Sequence, residues 1–353
     1  MTIRLNRRTA LGLGTVATAG TVFGTAVPAA ADPGRAAPAG GAEAAGAEAA
    51  GAEAGGNPER IAARIGAAYR WESGRAGGNW QAYVSLTGPS GGDPVEAVSE
   101  SADRRIEAYS VNKIAVAVAV LDKVDRGLLT LDHQVEVTAG IIVPSGDGIF
   151  SLDGAYPSSV TLGHVLANLL TVSDDTAVRL CGLVCPAAEL NQILVAKGFP
   201  NTQVQPVANP NRFFLGTSTP RETHDLLRAL VGGALLSPAS TEVVLRMLRS
   251  PVAFTDGIRR DMSSAERARI ATKAGWFADA RHEAGVIFDA AGAPLVTYAL
   301  FADGQAGADD FGATHPAVQA RARLGRRFLD LTAGLGGAGT THRARPYRPS
   351  NGG

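Results

Sequence analysis

The sequence predicts an α+β fold. We expect a three-layer α/β/α sandwich whose antiparallel sheet is built from both chain ends, with a helical subdomain inserted between them. Three observations predict it. Apolar, β-branched runs of strand length stand at 80–86 and 95–98, and again at 270–276, 284–289 and 294–301. Between these groups, from 110 to 249, the apolar residues recur at helical spacing. A further helical pattern flanks the strands on each outer side, at 61–71 and 315–335.

The first helix, 61–71, places Ile61, Ile65 and Tyr69 on one face. After the strand at 80–86, Gly91-Gly92-Asp93-Pro94 turns the chain into a partner strand at 95–98. The helix at 110–126 is apolar on almost every side, with Ile114, Val118 and Leu121 among its residues, so it belongs in the interior. Thr161 is placed to cap a helix at 161–170. Helices follow at 176–184 and 187–197. Another starts at Pro220, where a proline suits a first turn, and a last one covers 241–249. The pattern then becomes strand-like, and Ala290-Ala291-Gly292-Ala293 joins the last two strands. The closing helix turns Val318, Leu324, Phe328 and Leu331 inward, and the helical subdomain spans about 125–265.

Residues 1–31 read as an export signal. Arg4, Arg7 and Arg8 form a positive start, a weakly apolar stretch follows, and Ala29-Ala30-Ala31 is a small-residue cleavage site. The Arg7-Arg8 pair resembles a twin-arginine signal. The apolar run is broken by Gly and Thr, so no stable membrane span is expected and the mature chain is placed outside the cell. Residues 32–56 carry a five-residue Gly/Ala/Glu repeat and read as a low-complexity spacer; 336–353 read as a disordered tail. One folded domain, 57–335, remains.

Lys plus Arg and Asp plus Glu both number 33, which excludes the basic surface a nucleic acid demands. The expected partner is a small molecule, and the chain is expected to be a monomer. Cys181 and Cys185 are too few for a four-ligand zinc site, and they read as structural thiols rather than a helix-end disulfide. The six histidines show no metal-binding spacing, so no metal or cofactor is implied.

Three short motifs carry chemistry. Ser110 and Lys113 lie three residues apart at the start of the apolar helix, one turn apart on one face. A serine needs an adjacent base to become a nucleophile, and a buried lysine supplies one because desolvation lowers its pKa. Lys113 is the only charge in AYSVNKIAVAVAVL. The bland reading is a helix cap and a snorkelling lysine. Ser173-Asp174-Asp175 precedes a helix, and either of its first two residues also reads as an N-cap. Lys273-Ala274-Gly275 also reads as an edge-strand lysine beside a small residue where another backbone passes.

Taken in order, the motifs resemble the S-x-x-K, S-D-N and K-T-G signature of the serine β-lactamase and penicillin-binding-protein superfamily, most closely its class A β-lactamases. That resemblance implies the β-lactamase/transpeptidase-like fold. It also implies Ser110 as nucleophile, Lys113 as its activating partner, Ser173 as a proton shuttle and Lys273 as a positive field for a substrate carboxylate. An oxyanion hole would use the backbone N–H of Ser110 and of a residue near Phe277. Ser110 Oγ is expected within about 2.6–3.2 Å of Lys113 Nζ.

The chain departs from that pattern at three places. Asp175 stands for the usual Asn; it cannot donate, and it can pair with Lys113 and hold it charged. Ala274 stands for the usual Thr. Asn209-Pro210 occupies the loop position of the family's deacylating glutamate, and an amide can orient a water but not take its proton. Between Asp175 and Glu222 the only acid is Glu189. Arg259, Arg260, Arg281 and His282 read as solvated loop residues. The expected function is an exported serine hydrolase that opens a cyclic amide or ester through an acyl-enzyme on Ser110. The alternatives are a D,D-peptidase-like or esterase-like hydrolase, or a slowly deacylating penicillin-binding or non-catalytic relative.

Overall fold

The computed structural model describes residues 57–87 and 93–335. The export signal, spacer, tail and the first two residues of the 91–94 turn lie outside the described residues.

The chain opens with α1 (Pro58–Ala76), β1 (Asn79–Leu86), β2 (Val95–Glu100) and β3 (Ile106–Glu107). A 3₁₀ turn, Tyr109–Asn112, leads into α2 (Lys113–Asp125), so Ser110 sits on a tight turn before the helix and not within it. The middle of the chain holds β4 (Gln134–Val137), β5 (Ser158–Thr161), α3 (Leu162–Thr171), α4 (Asp175–Val184) and α5 (Ala187–Ala196). Next come β6 (Gln203–Pro206), β7 (Phe213–Ser218), α6 (Pro220–Val231), α7 (Pro238–Leu248) and the short α8 (Ser264–Arg267). The chain closes with β8 (Ile270–Phe277), β9 (Ala280–Phe288), β10 (Pro294–Asp303) and α9 (Pro316–Thr332).

Five strands form the main antiparallel sheet in the order β2-β1-β10-β9-β8. Tyr83 faces Ala299 across β1 and β10, so the two ends of the chain are joined strand to strand. This is the expected sandwich. On one face α1 and α9 bury Ile61, Ile65, Tyr69, Leu324 and Phe328. On the other, α2 and the helical block close over Ala271, Ala284, Val286 and Phe301. With both faces covered, β9 is buried along its whole length. Residues 113–121 of α2 are all buried, as its all-round apolar surface requires.

The caps follow the sequence. Thr161 accepts from His164 N, and Asp174 rather than Ser173 caps α4 through Ala177 N. Cys181 and Cys185 are buried free thiols. The helical block also holds two small sheets, β3-β7-β6 and β4-β5, where only loops were expected. Asn209 lies at the turn of the β6–β7 hairpin.

Candidate active site

The Ser110 turn is clamped from two sides. Asn112 Nδ2 donates to Leu215 O at 2.7 Å and Thr217 O at 2.9 Å, and Ala108 N donates to Gly216 O at 2.9 Å, so β7 holds the turn from below. From the other side β8 passes so close that a Cβ on Gly275 would lie 2.9 Å from Ser110 N and 2.8 Å from Val111 N. Only glycine allows that approach. Tyr109, immediately before Ser110, has φ +48°, and Ser173 has φ +58°. Left-handed non-glycine residues are sparsely populated and cluster at functional sites.

Lys113 and Lys273 converge on Ser173. Lys113 Nζ donates to Ser173 O at 2.5 Å, Ser173 Oγ at 3.1 Å and Asp175 Oδ1 at 2.8 Å. Lys273 Nζ donates to Ser173 Oγ at 2.9 Å and to Ala274 O at 2.7 Å. A hydroxyl has two lone pairs and one proton. Both lone pairs are engaged by the ammonium groups, which leaves the Ser173 proton directed away from them. Burial pushes both lysines below their ordinary value near 10.5; Asp175 opposes this at Lys113, whereas the Lys113 charge adds to it at Lys273.

This arrangement corrects one expected contact. Lys113 has three donors, and all three are used on Ser173 and Asp175, so no hydrogen bond joins it to Ser110 Oγ. Asp175 is the physical reason: it forms the ion pair anticipated from its acidic side chain.

Asp147 was missed. Asp147 N donates to Asp175 Oδ2 and Asp175 N donates to Asp147 O, both at 3.0 Å, which locks the 144–148 bend onto α4. Its charge also favours the protonated form of both lysines. Asp174 anchors the same bend by accepting from Ile149 N at 2.6 Å and Phe150 N at 2.9 Å. Nothing in the local spelling PSGDG distinguishes a site acid from an ordinary bend.

Beside Ser173 and Lys273 opens a cavity of about 190 Å³ walled by Val252, Phe254 and Trp276. Ala274 is buried in β8, and Phe277 is exposed at its end, 5.8 Å from the Tyr109 ring. Two expectations fail. Asn209 is not at the site: it is exposed, and its Oδ1 accepts from Asn211 N at 3.0 Å, closing its own turn. Arg259, Arg281 and His282 are buried, not solvated; only Arg260 is exposed. Arg259 donates to the carbonyls of Leu248, Ser250 and Ile270, and Arg281 to those of Ala278, Ala280, Gly307 and Asp310. These carbonyl clusters, invisible in sequence, satisfy the buried guanidinium groups. His282 donates from Nε2 to Glu107 O and accepts at Nδ1 from Ala302 N, both at 3.0 Å, which fixes its tautomer. Burial lowers its pKa to about 4.

A second constellation imitates a triad. Ser85 Oγ lies 2.8 Å from His224 Nε2, and His224 Nδ1 lies 2.8 Å from Asp225 Oδ1. Ser85 and His224 are both buried, so a substrate carbonyl has no approach to them.

An antiparallel sheet fed by both chain ends, with a lysine–serine–lysine cluster where the helical block meets its edge strand, defines the β-lactamase/transpeptidase-like fold. The chain belongs to the β-lactamase enzyme family, whose sequence profile matches residues 70–332. It is similar in fold to a β-lactamase from Sphaerobacter thermophilus, at 22% identity and a TM-score of 0.62, over 76% of this chain and 96% of that one. A β-lactamase from Xanthomonas campestris gives 21% identity, a TM-score of 0.64 and coverage of 76% and 98%. The protein PBP-A gives 20%, 0.61, and coverage of 78% and 96%. No curated protein sequence matches significantly. Among the described residues no single helix is long and apolar enough to cross a membrane.

Proposed function

We propose that this chain is an exported serine hydrolase of the class A β-lactamase type that opens a cyclic amide or ester by acylating Ser110, and that it releases the acyl group slowly. The observation that carries this reading is the Ser173 hydroxyl shared by two buried lysines beside the Ser110 turn.

In the first step Ser110 Oγ bonds to the carbonyl carbon while its proton passes to the neutral form of Lys113, which burial favours; with only two protons left, that amine gives up one of its three contacts and turns its lone pair to Ser110. Backbone N–H groups of Ser110 and Phe277 receive the developing oxyanion. Ser173 then gives its free proton to the departing nitrogen or oxygen and recovers one from Lys113. Lys273 holds an anionic group of the substrate. Release needs a base for water, and the β6–β7 hairpin brings none. Glu189 is paired with Lys123 at 2.7 Å, and Asp175 is held by Lys113. A mutant of PBP-A, which is similar to this chain in fold, forms an acyl-enzyme complex with penicillin G.

Burst kinetics with a chromogenic cephalosporin test the reading. We expect one equivalent of rapid product, then a steady rate below the roughly 1 s⁻¹ that marks the slow end of ordinary turnover. Ser110→Ala should abolish the burst. A burst that survives in Ser110→Ala sinks the reading, and a steady rate far above that bound refutes slow release.

A further inference from the structure

Asp175 also lines a second cavity of about 400 Å³, large enough for a small organic group, whose walls do not include Lys273. Val143, Val178, Phe213 and Leu215 give it apolar walls. Arg179 and Arg212 also line it, and each is fixed by backbone carbonyls. Arg179 Nη1 donates to Ile141 O at 3.1 Å and Ile142 O at 2.9 Å, and Arg212 Nη2 donates to Gly140 O at 3.1 Å. These bonds orient the guanidinium groups while leaving most of their five donors unused. Burial and the Arg212 charge push the Arg179 pKa down, and Asp175, the acid that opposes this at Arg179, already pairs with Lys113. The cavity therefore holds two oriented cations without an acid of their own. Asp175 is a shared wall: one oxygen bonds Lys113 in the candidate active site, and the residue lines this cavity.

We infer that this cavity is a subsite for the acyl side chain of the substrate, and that it takes an apolar body ending in a carboxylate, gripped by Arg179 and Arg212. Guanidinium forks match carboxylates bidentately, and the apolar walls bury the stem between the carboxylate and the reacting carbonyl. This rests on the acyl-enzyme reading for what becomes of the bound molecule, but the binding itself does not require Ser110.

The test is isothermal titration of the full chain carrying Ser110→Ala with 4-phenylbutyrate and its neutral amide, 4-phenylbutyramide. The carboxylate should bind at least about tenfold more tightly than the amide, the margin of one charge-assisted hydrogen bond. Adding Arg212→Gln should erase that preference, and Arg212→Lys, which keeps charge but loses the fork, should restore it only in part. Amide binding in the same variants reports that the apolar walls remain. Equal affinity for both probes, no binding of either, or a preference untouched by Arg212→Gln overturns the inference. A wild-type chain that shows no burst, or a burst that survives in Ser110→Ala, overturns the acyl-enzyme reading instead and leaves this binding ratio as it is.

Discussion

At the residue scale, chemistry turns on how Lys113 is held. Its pKa is lowered by burial and raised by Asp175, two opposing effects at one nitrogen. In the proposed mechanism neutral Lys113 accepts the Ser110 proton, so acylation should rise with pH along a limb below the lysine's ordinary 10.5. Asp175→Asn removes the charge that favours the ammonium, so the limb should move to lower pH. Burst rate against pH in the two proteins checks this; a limb that stays put, or moves up, removes Lys113 from the role of base. The serine, both lysines and the acidic substitution were all legible in sequence. The direction in which Lys113 points was not, because that depends on a contact across 62 residues. The arginines misread as solvated illustrate the same limit: their partners are backbone carbonyls, which every residue carries and no spelling marks.

At the scale of elements, the Ser110 turn is positioned by β7 beneath and β8 alongside. Gly275→Ala places a Cβ 2.9 Å from Ser110 N, against backbone that cannot yield cheaply. We expect acylation to fall about a hundredfold, the usual cost of a misplacement near 1 Å, with far-UV circular dichroism unchanged. A full-rate Gly275→Ala enzyme contradicts this account of the clamp. Asn112→Ala removes two hydrogen bonds to β7 and should cost about 1–3 kcal/mol in urea unfolding. The long helices and the strands β8 to β10 announced themselves by period and by turn residues. The strands of the small sheets did not: β3 has two residues, β4 to β6 four each and β7 six. Runs that short give too few alternations to reveal a period, and they pair only with partners brought near by the helices. The consequence was functional, since Asn209 was assigned to a catalytic loop and belongs to a hairpin turn.

At the scale of the molecule, the sheet joins both chain ends and its buried strands carry polar groups that fix the site. His282 is one: it stacks on Phe301 at 4.7 Å and holds Glu107 O, two residues before the Ser110 turn begins. Its pKa lies near 4 in the fold against about 6.5 unfolded. The unfolded chain therefore takes up a proton that the folded chain refuses. The stabilisation is complete above pH 6.5 and is lost as pH falls toward 4, by about 3 kcal/mol from this one group. His282→Gln should flatten the dependence of urea stability on pH across that window, whatever its effect on absolute stability; an unchanged slope contradicts the assignment.

The central claim is that Ser110, and not the sealed Ser85, forms the covalent bond. Intact-mass analysis after mixing with benzylpenicillin, followed by peptide mapping, tests it most directly. A single adduct of one penicillin is expected on the peptide containing Ser110, persisting after dilution and absent in Ser110→Ala. An adduct on any other residue, or one that forms equally in Ser110→Ala, contradicts it.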